Sequence, residues 1–206
     1  MSNNFDSIVK FDDPLKSNVL TNTIESTDYE YNLSLRVKDF ENESEEIKFI
    51  KSCERGIRGC PEYKVWTSYL KDALNYRICD ITGENNEELT VEVHHHPYTL
   101  FDITRCVTKE FMFEEQEFCS FDVCTKVIEM HYQMRTPFVL MIKSMHEKFH
   151  NGFLKLPMEL VHGDYKYFFE NYAKYMDENT LNKVEERLAI NSKNCEWSIG
   201  NYFTKK

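Results

Sequence analysis

At 206 residues the chain is long enough for one hydrophobic core, or for one domain with an extension. Its 41% apolar and 14% aromatic content, with only six Gly and five Pro, excludes a mostly disordered protein. The formal net charge of −10 argues against a surface built throughout for nucleic acid, where affinity comes largely from Lys and Arg displacing counterions.

Residues 1–43 are polar and sparse in apolar side chains, and a partly extended arm is expected there. Within it Tyr31, Leu33, Leu35 and Val37 alternate with Asn32, Ser34 and Arg36, which suggests a short strand or, alternatively, the start of a helix. A helix is predicted from Ser44, with Ser44 as its cap, Glu45 and Glu46 at its positive end, and Ile47, Ile50 and Ile57 along its apolar side. Gly56 and Gly59 loosen the chain before Pro61, which fits the first turn of a second helix over 61–75; Tyr63, Trp66, Tyr69, Leu70, Ala73 and Leu74 make its core stripe. Tyr76 to Thr82 reads as a strand, Gly83 to Asn86 as a turn, and Leu89 to His95 as the hairpin partner, which Pro97 ends.

Residues 98–135 hold two amphipathic pieces, about 100–113 and 121–134, separated by acidic residues. They predict a helical hairpin with Ile103, Val107, Phe111, Val123, Val127 and Met130 on its apolar face. Phe138 to Met141 is a buried-strand candidate that leads straight into a helix ending at Asn151-Gly152. Two further helices are expected, an aromatic one over 165–175 and another over 178–190. These elements divide into the arm (1–43), a central domain (44–153) that includes the insertion 98–135, and a C-terminal helical extension (154–206).

The apolar runs fall far short of a membrane span, and the N-terminus lacks the apolar stretch of a signal peptide. A soluble, cytoplasmic protein without membrane contact is therefore expected. Seven cysteines are an odd number and none forms Cys-x-x-Cys, which points to reduced thiols and not to a disulfide framework or a cysteine-rich zinc site. Basic residues gather locally at Lys51, Arg55, Arg58, Lys64 and Lys71, and again at Lys143 and Lys148; they are either a local phosphate-binding face or ordinary solvated charge.

Five of the seven histidines lie in two clusters, His94-His95-His96 and His146 with His150. The first ends a period-two strand, so consecutive imidazoles there face opposite sides. The second spaces two imidazoles one helical turn apart on one face, a metal-ligand spacing. If strand and helix pack together, one strand histidine and the two helix histidines can hold a divalent ion, which leaves a neighbouring strand histidine free to act as a base.

The succession Trp66, Cys79-Asp80-Ile81-Thr82-Gly83, Val93-His94-His95, Val139-Leu140-Met141 and His146-Glu147-Lys148-Phe149-His150-Asn151-Gly152 resembles the HNH endonucleases over roughly residues 61–153. The resemblance implies an α+β fold with a ββα-metal core, here carrying an inserted helical hairpin and flanking helices. It implies His94, His146 and His150 as metal ligands and His95 as the general base in hydrolysis of DNA phosphodiester bonds, with Mg, Mn, Ni or Zn as the ion. DNA would meet a local basic patch. The family's middle Asn, which orients the base, is replaced by Thr136-Pro137, so Thr136 or a group from the 98–135 hairpin orients His95, or the site is catalytically poor. In that last case the expectation is a binding or scaffold protein that kept the fold and works through a protein partner. Where zinc-knuckle members pair cysteines, Thr82, Ile142 and Met145 stand opposite Cys79, so packing must hold the finger. Glu92 and Asp102 are candidate carboxylates behind the ligands, with Glu92 alternating away from His95, whereas His131 and His162 show no partner in the sequence and are read as structural. Compact size and an Asn/Lys/Glu-rich composition suit a phage or mobile element.

Overall fold

Asn42 opens the first long helix because its side chain accepts a hydrogen bond from the Glu45 amide at 3.0 Å, while Glu43, Glu45 and Glu46 sit where the helix end is positive. Ser44 is thus already inside the first turn, one position pair later than the true cap. The computed structural model describes residues 24–26, 29–31, 39–72, 74, 77–83 and 90–191. This first helix, α1 (Glu43–Gly59), buries Phe49, Ile50, Cys53 and Ile57 along one stripe. Pro61 begins α2 (Pro61–Asp72), which buries Tyr63, Trp66 and Leu70 and leaves Tyr69 half exposed.

A short antiparallel pair, β1 (Ile24–Ser26) and β2 (Tyr29–Tyr31), precedes α1. Of the strand expected over 31–37 only Tyr31 falls in β2; residues 32–37, like the tail from 192 onward, lie outside the described residues.

Among the described residues the hairpin expected over 76–95 does not form. Strand β3 (Val91–His95) pairs with β4 (Phe138–Ile142), antiparallel, with Val93 opposite Leu140 and His95 opposite Phe138. Two local features divert the earlier segment. The Asp80 carboxylate accepts the Leu140 amide at 2.6 Å while the Asp80 amide donates to the Leu140 carbonyl at 2.8 Å. The Gly83 amide closes a turn onto the Cys79 carbonyl with Gly83 at φ 67°. The five consecutive buried residues of β4 give β3 a continuously apolar partner.

The inserted hairpin is present as α3 (Leu100–Phe113) and α4 (Ser120–Tyr132). Thr99 and Asp102 make a reciprocal cap at the start of α3, and Asp122 accepts the Cys119 amide at the start of α4. Asp102 therefore serves the helix end and no histidine. Ile103, Val107, Val123, Val127 and Met130 are buried as expected, and Phe111 is partly buried against them.

Helix α5 (Lys143–His150) follows β4 with no loop, and Asn151 with Gly152 at φ 74° ends it. Next come α6 (Tyr165–Tyr172), a single 3-10 turn over Ala173–Tyr175, and α7 (Glu178–Leu188). Their Phe168, Tyr172, Tyr175 and Val184 join one hydrophobic cluster that runs from Phe49 through Trp66, Phe118 and Phe138. Each such fully buried aromatic or aliphatic side chain contributes about 1.5–3 kcal/mol against exposure. The fold class is α+β, with helices predominating around a two-stranded sheet.

Candidate metal centre

Alternation along β3 sends Glu92 and His94 to one face and His95 to the other. Helix α5 packs on the first face. There His94 Nδ1 lies 2.9 Å from His146 Nε2, and His146 Nε2 lies 2.9 Å from His150 Nε2. One nitrogen from each of the three residues falls within 4.8 Å of the others. Glu92 Oε2 stands 2.6 Å from His146 Nδ1, which fixes the proton on Nδ1 and turns the Nε2 lone pair toward the other two rings.

Three imidazole nitrogens converging around one lone pair, with a carboxylate behind the central ring, fit a divalent transition ion. The nitrogen-only donor set suits Zn or Ni better than Mg, which prefers oxygen. Burial, followed by the neighbouring His146 and His96, holds the His94 imidazole down to a pKa of about 3, so it is neutral and able to ligate at neutral pH. Phe149 covers His94 edge-on at 4.7 Å, while His150 is exposed, so the centre opens toward solvent on the α5 side. His96, the third of the run, is buried beside Phe149 at 5.6 Å and is not among the three converging rings.

His95 is not brought to this centre. It is 4% exposed and its Nε2 lies 2.9 Å from His131 Nε2 of α4. His131 Nδ1 is 2.6 Å from the Val127 carbonyl and must donate to it, so His131 Nε2 accepts and His95 Nε2 carries the donated proton. Tyr63 stacks over His95, and Trp66 meets His131 edge-on at 4.7 Å. Burial pushes His95 well below its ordinary pKa, and the adjacent His131 acts in the same sense; burial lowers His131 itself to about 4.

Thr136 is fully buried, and its hydroxyl has no hydrogen-bond partner among the described residues, so it does not orient His95. The group seated on His95 comes instead from the inserted hairpin, the other source the sequence allowed. His162 also has partners: its Nε2 lies 2.9 Å from Asp80 Oδ1, its ring stacks on Phe138, and its backbone bridges Phe138, pinning the 79–83 turn against β4. The partner of His131 was missed, although one signal was available. His131 continues the apolar stripe Val123, Val127, Met130 of α4, and a polar ring on a buried stripe requires a partner.

Fold and site together define an α+β protein in which a two-stranded sheet and one helix bring three histidines and a glutamate to a common point. The chain belongs to the family described as Bacteriophage G278-like virion protein, whose model matches residues 3–204. A phage origin follows, and the family is one of virion proteins, which leaves the expected cytoplasmic location without support. No curated protein and no solved structure matches the chain. No helix among the described residues is long and apolar enough to cross a membrane.

Proposed function

We propose that this virion protein is built on an HNH-like ββα-metal module. In it a divalent ion held by His94, His146 and His150 fastens β3 to α5, and the module works through a protein partner and not by turnover. The observation that carries this reading is the division of the histidines. Three meet with Glu92 on one face of β3, whereas His95 is sealed on the other with its Nε2 committed to His131. A base must reach water to take its proton, and a fully enclosed imidazole with a depressed pKa is poorly suited to that. The net charge of −10 also suits a protein partner better than DNA.

A second reading, a metal-dependent HNH-type endonuclease hydrolysing DNA phosphodiester bonds, is favoured by one observation. Three protein ligands with His150 exposed leave the fourth side open, the pattern of catalytic more than of structural zinc sites. When bound there, the ion would supply Lewis-acid stabilisation to a phosphate oxygen. In that reading Lys143, which helical period puts on the His146–His150 side of α5, lies on the side that DNA would approach, whereas Lys148 turns away from it.

The separating experiment incubates the purified chain with plasmid DNA and Mg, Mn, Ni or Zn, alongside His94→Ala and His95→Ala. The scaffold reading predicts no nicking with any ion by protein that metal analysis shows to be loaded. Metal-dependent nicking abolished by His94→Ala would establish the nuclease, and its additional loss in metal-loaded His95→Ala would assign the base.

A further inference from the structure

Helices α1 and α4 cross beside a mainly apolar groove of about 650 Å³, lined among others by Cys53, Cys60, Phe121, Cys124 and Ile128. Gly56 faces the crossing, where a Cβ would make an ordinary 3.7 Å contact with Cys124 Sγ. Across the crossing the Cys124 thiol donates to the Cys53 carbonyl at 3.6 Å and the Cys53 thiol donates to the Ser120 carbonyl at 3.9 Å, which holds the two side chains at one crossing. Cys53 is buried beneath, at 1% exposed, and Cys124 is the more accessible of the two. This pair is remote in sequence from the histidine clusters and belongs to neither function proposed above.

We propose that Cys124 and Cys53 form a dithiol site that reacts with a small-molecule disulfide of the glutathione type and ends as a disulfide crosslink between α1 and α4. Cys124 Sγ, as thiolate, attacks one sulfur of the incoming disulfide; the S–S bond breaks, and one thiolate leaves and takes up a proton. Cys53 then loses its proton to solvent and attacks Cys124 Sγ, which breaks the mixed disulfide and releases the second thiol. Two protein thiols are oxidised by two electrons, and one small disulfide is reduced to two thiols.

The local chemistry assigns the order of the two steps. The neighbouring Cys53 thiol lowers the Cys124 thiol against the opposing effect of burial. Cys124 in turn, followed by burial, raises Cys53. The more accessible, more acidic thiol therefore attacks first, and the buried one resolves. Such a crosslink is absent in a reducing cytosol and forms when the protein meets an oxidising medium.

The test treats the reduced full chain with oxidised glutathione, quenches with N-ethylmaleimide, and reads intact mass and a peptide map. The expected result is loss of two alkylatable thiols, no retained glutathione, and one crosslinked peptide pair joining Cys53 to Cys124. Cys53→Ser should stop with one glutathione on Cys124, and Cys124→Ser should take up glutathione at least about tenfold more slowly. Glutathione retained on wild-type Cys124, or a crosslink that joins other cysteines such as Cys119 or Cys60, overturns the proposal. The wild-type map decides the question without either variant, so a folding defect in one does not obscure it.

Discussion

Glu92 acts on the candidate metal centre through His146. By accepting from Nδ1 at 2.6 Å it fixes the tautomer and the ring plane, so the lone pair on Nε2 points where the other two rings converge. Replacing it with Gln keeps the shape but removes the charge, and zinc affinity measured by competition with a chromophoric chelator should fall about 10–100-fold while the fold persists. The His95–His131 pair is a different kind of feature. An unfolded imidazole titrates near 6.5, whereas folded His131 takes no proton until about pH 4. Its contribution is thus complete above about 6.5 and lost as pH falls toward 4, amounting to about 3 kcal/mol over that window. Urea midpoints between pH 7 and pH 4 should therefore fall steeply in the wild type and less steeply in His131→Gln. Equal slopes would mean that His131 is not held neutral by its surroundings.

At the scale of elements, two glycines make opposite predictions. Gly56 sits inside α1 with only an ordinary 3.7 Å contact awaiting a Cβ, so Gly56→Ala should stabilise by about 0.5–1 kcal/mol through reduced backbone freedom in the unfolded chain. Gly163 has φ 78°, and a Cβ there would stand 2.6 Å from the Thr136 carbonyl, beside the bridge that pins His162 to Phe138. Gly163→Ala should therefore cost about 2 kcal/mol or more. Both are read from chemical denaturation midpoints. The elements themselves were legible wherever one face alone was buried: the stripes of α1 and α2, the apolar face of the α3–α4 hairpin, and the four-residue spacing that puts His146 and His150 on one side of α5 all follow from helical period. What failed was pairing. Residues 76–82 look like a strand, but the bonds that hold Asp80 run to Leu140 and His162, 60 and 82 residues away, and no local pattern contains them. The contact between His95 and His131 was hidden for the same reason, at a separation of 36 residues. Alternation along β3 did anticipate that His94 and His95 face opposite ways.

For the molecule as a whole, the two-stranded sheet is small, and α5 is held to it by the short apolar contacts of Met145 and Phe149 and by the histidine cluster. An ion joining β3 to α5 would therefore tie residues 94 and 146–150 together in the folded state only. At free zinc near one hundred times the dissociation constant this linkage is worth about 2.7 kcal/mol, or about 5–10 °C in Tm for a chain of this size. The acidic surface gives no comparable linkage to nucleic acid, and DNA should leave Tm unchanged. The measurement that bears most directly on the account is the zinc or nickel content of purified protein after dialysis, determined alongside His146→Ala. The account predicts one equivalent per chain in the wild type and none in the variant, with the Tm gain lost in parallel. A wild type that retains no ion, or a variant that retains as much as the wild type, would contradict it.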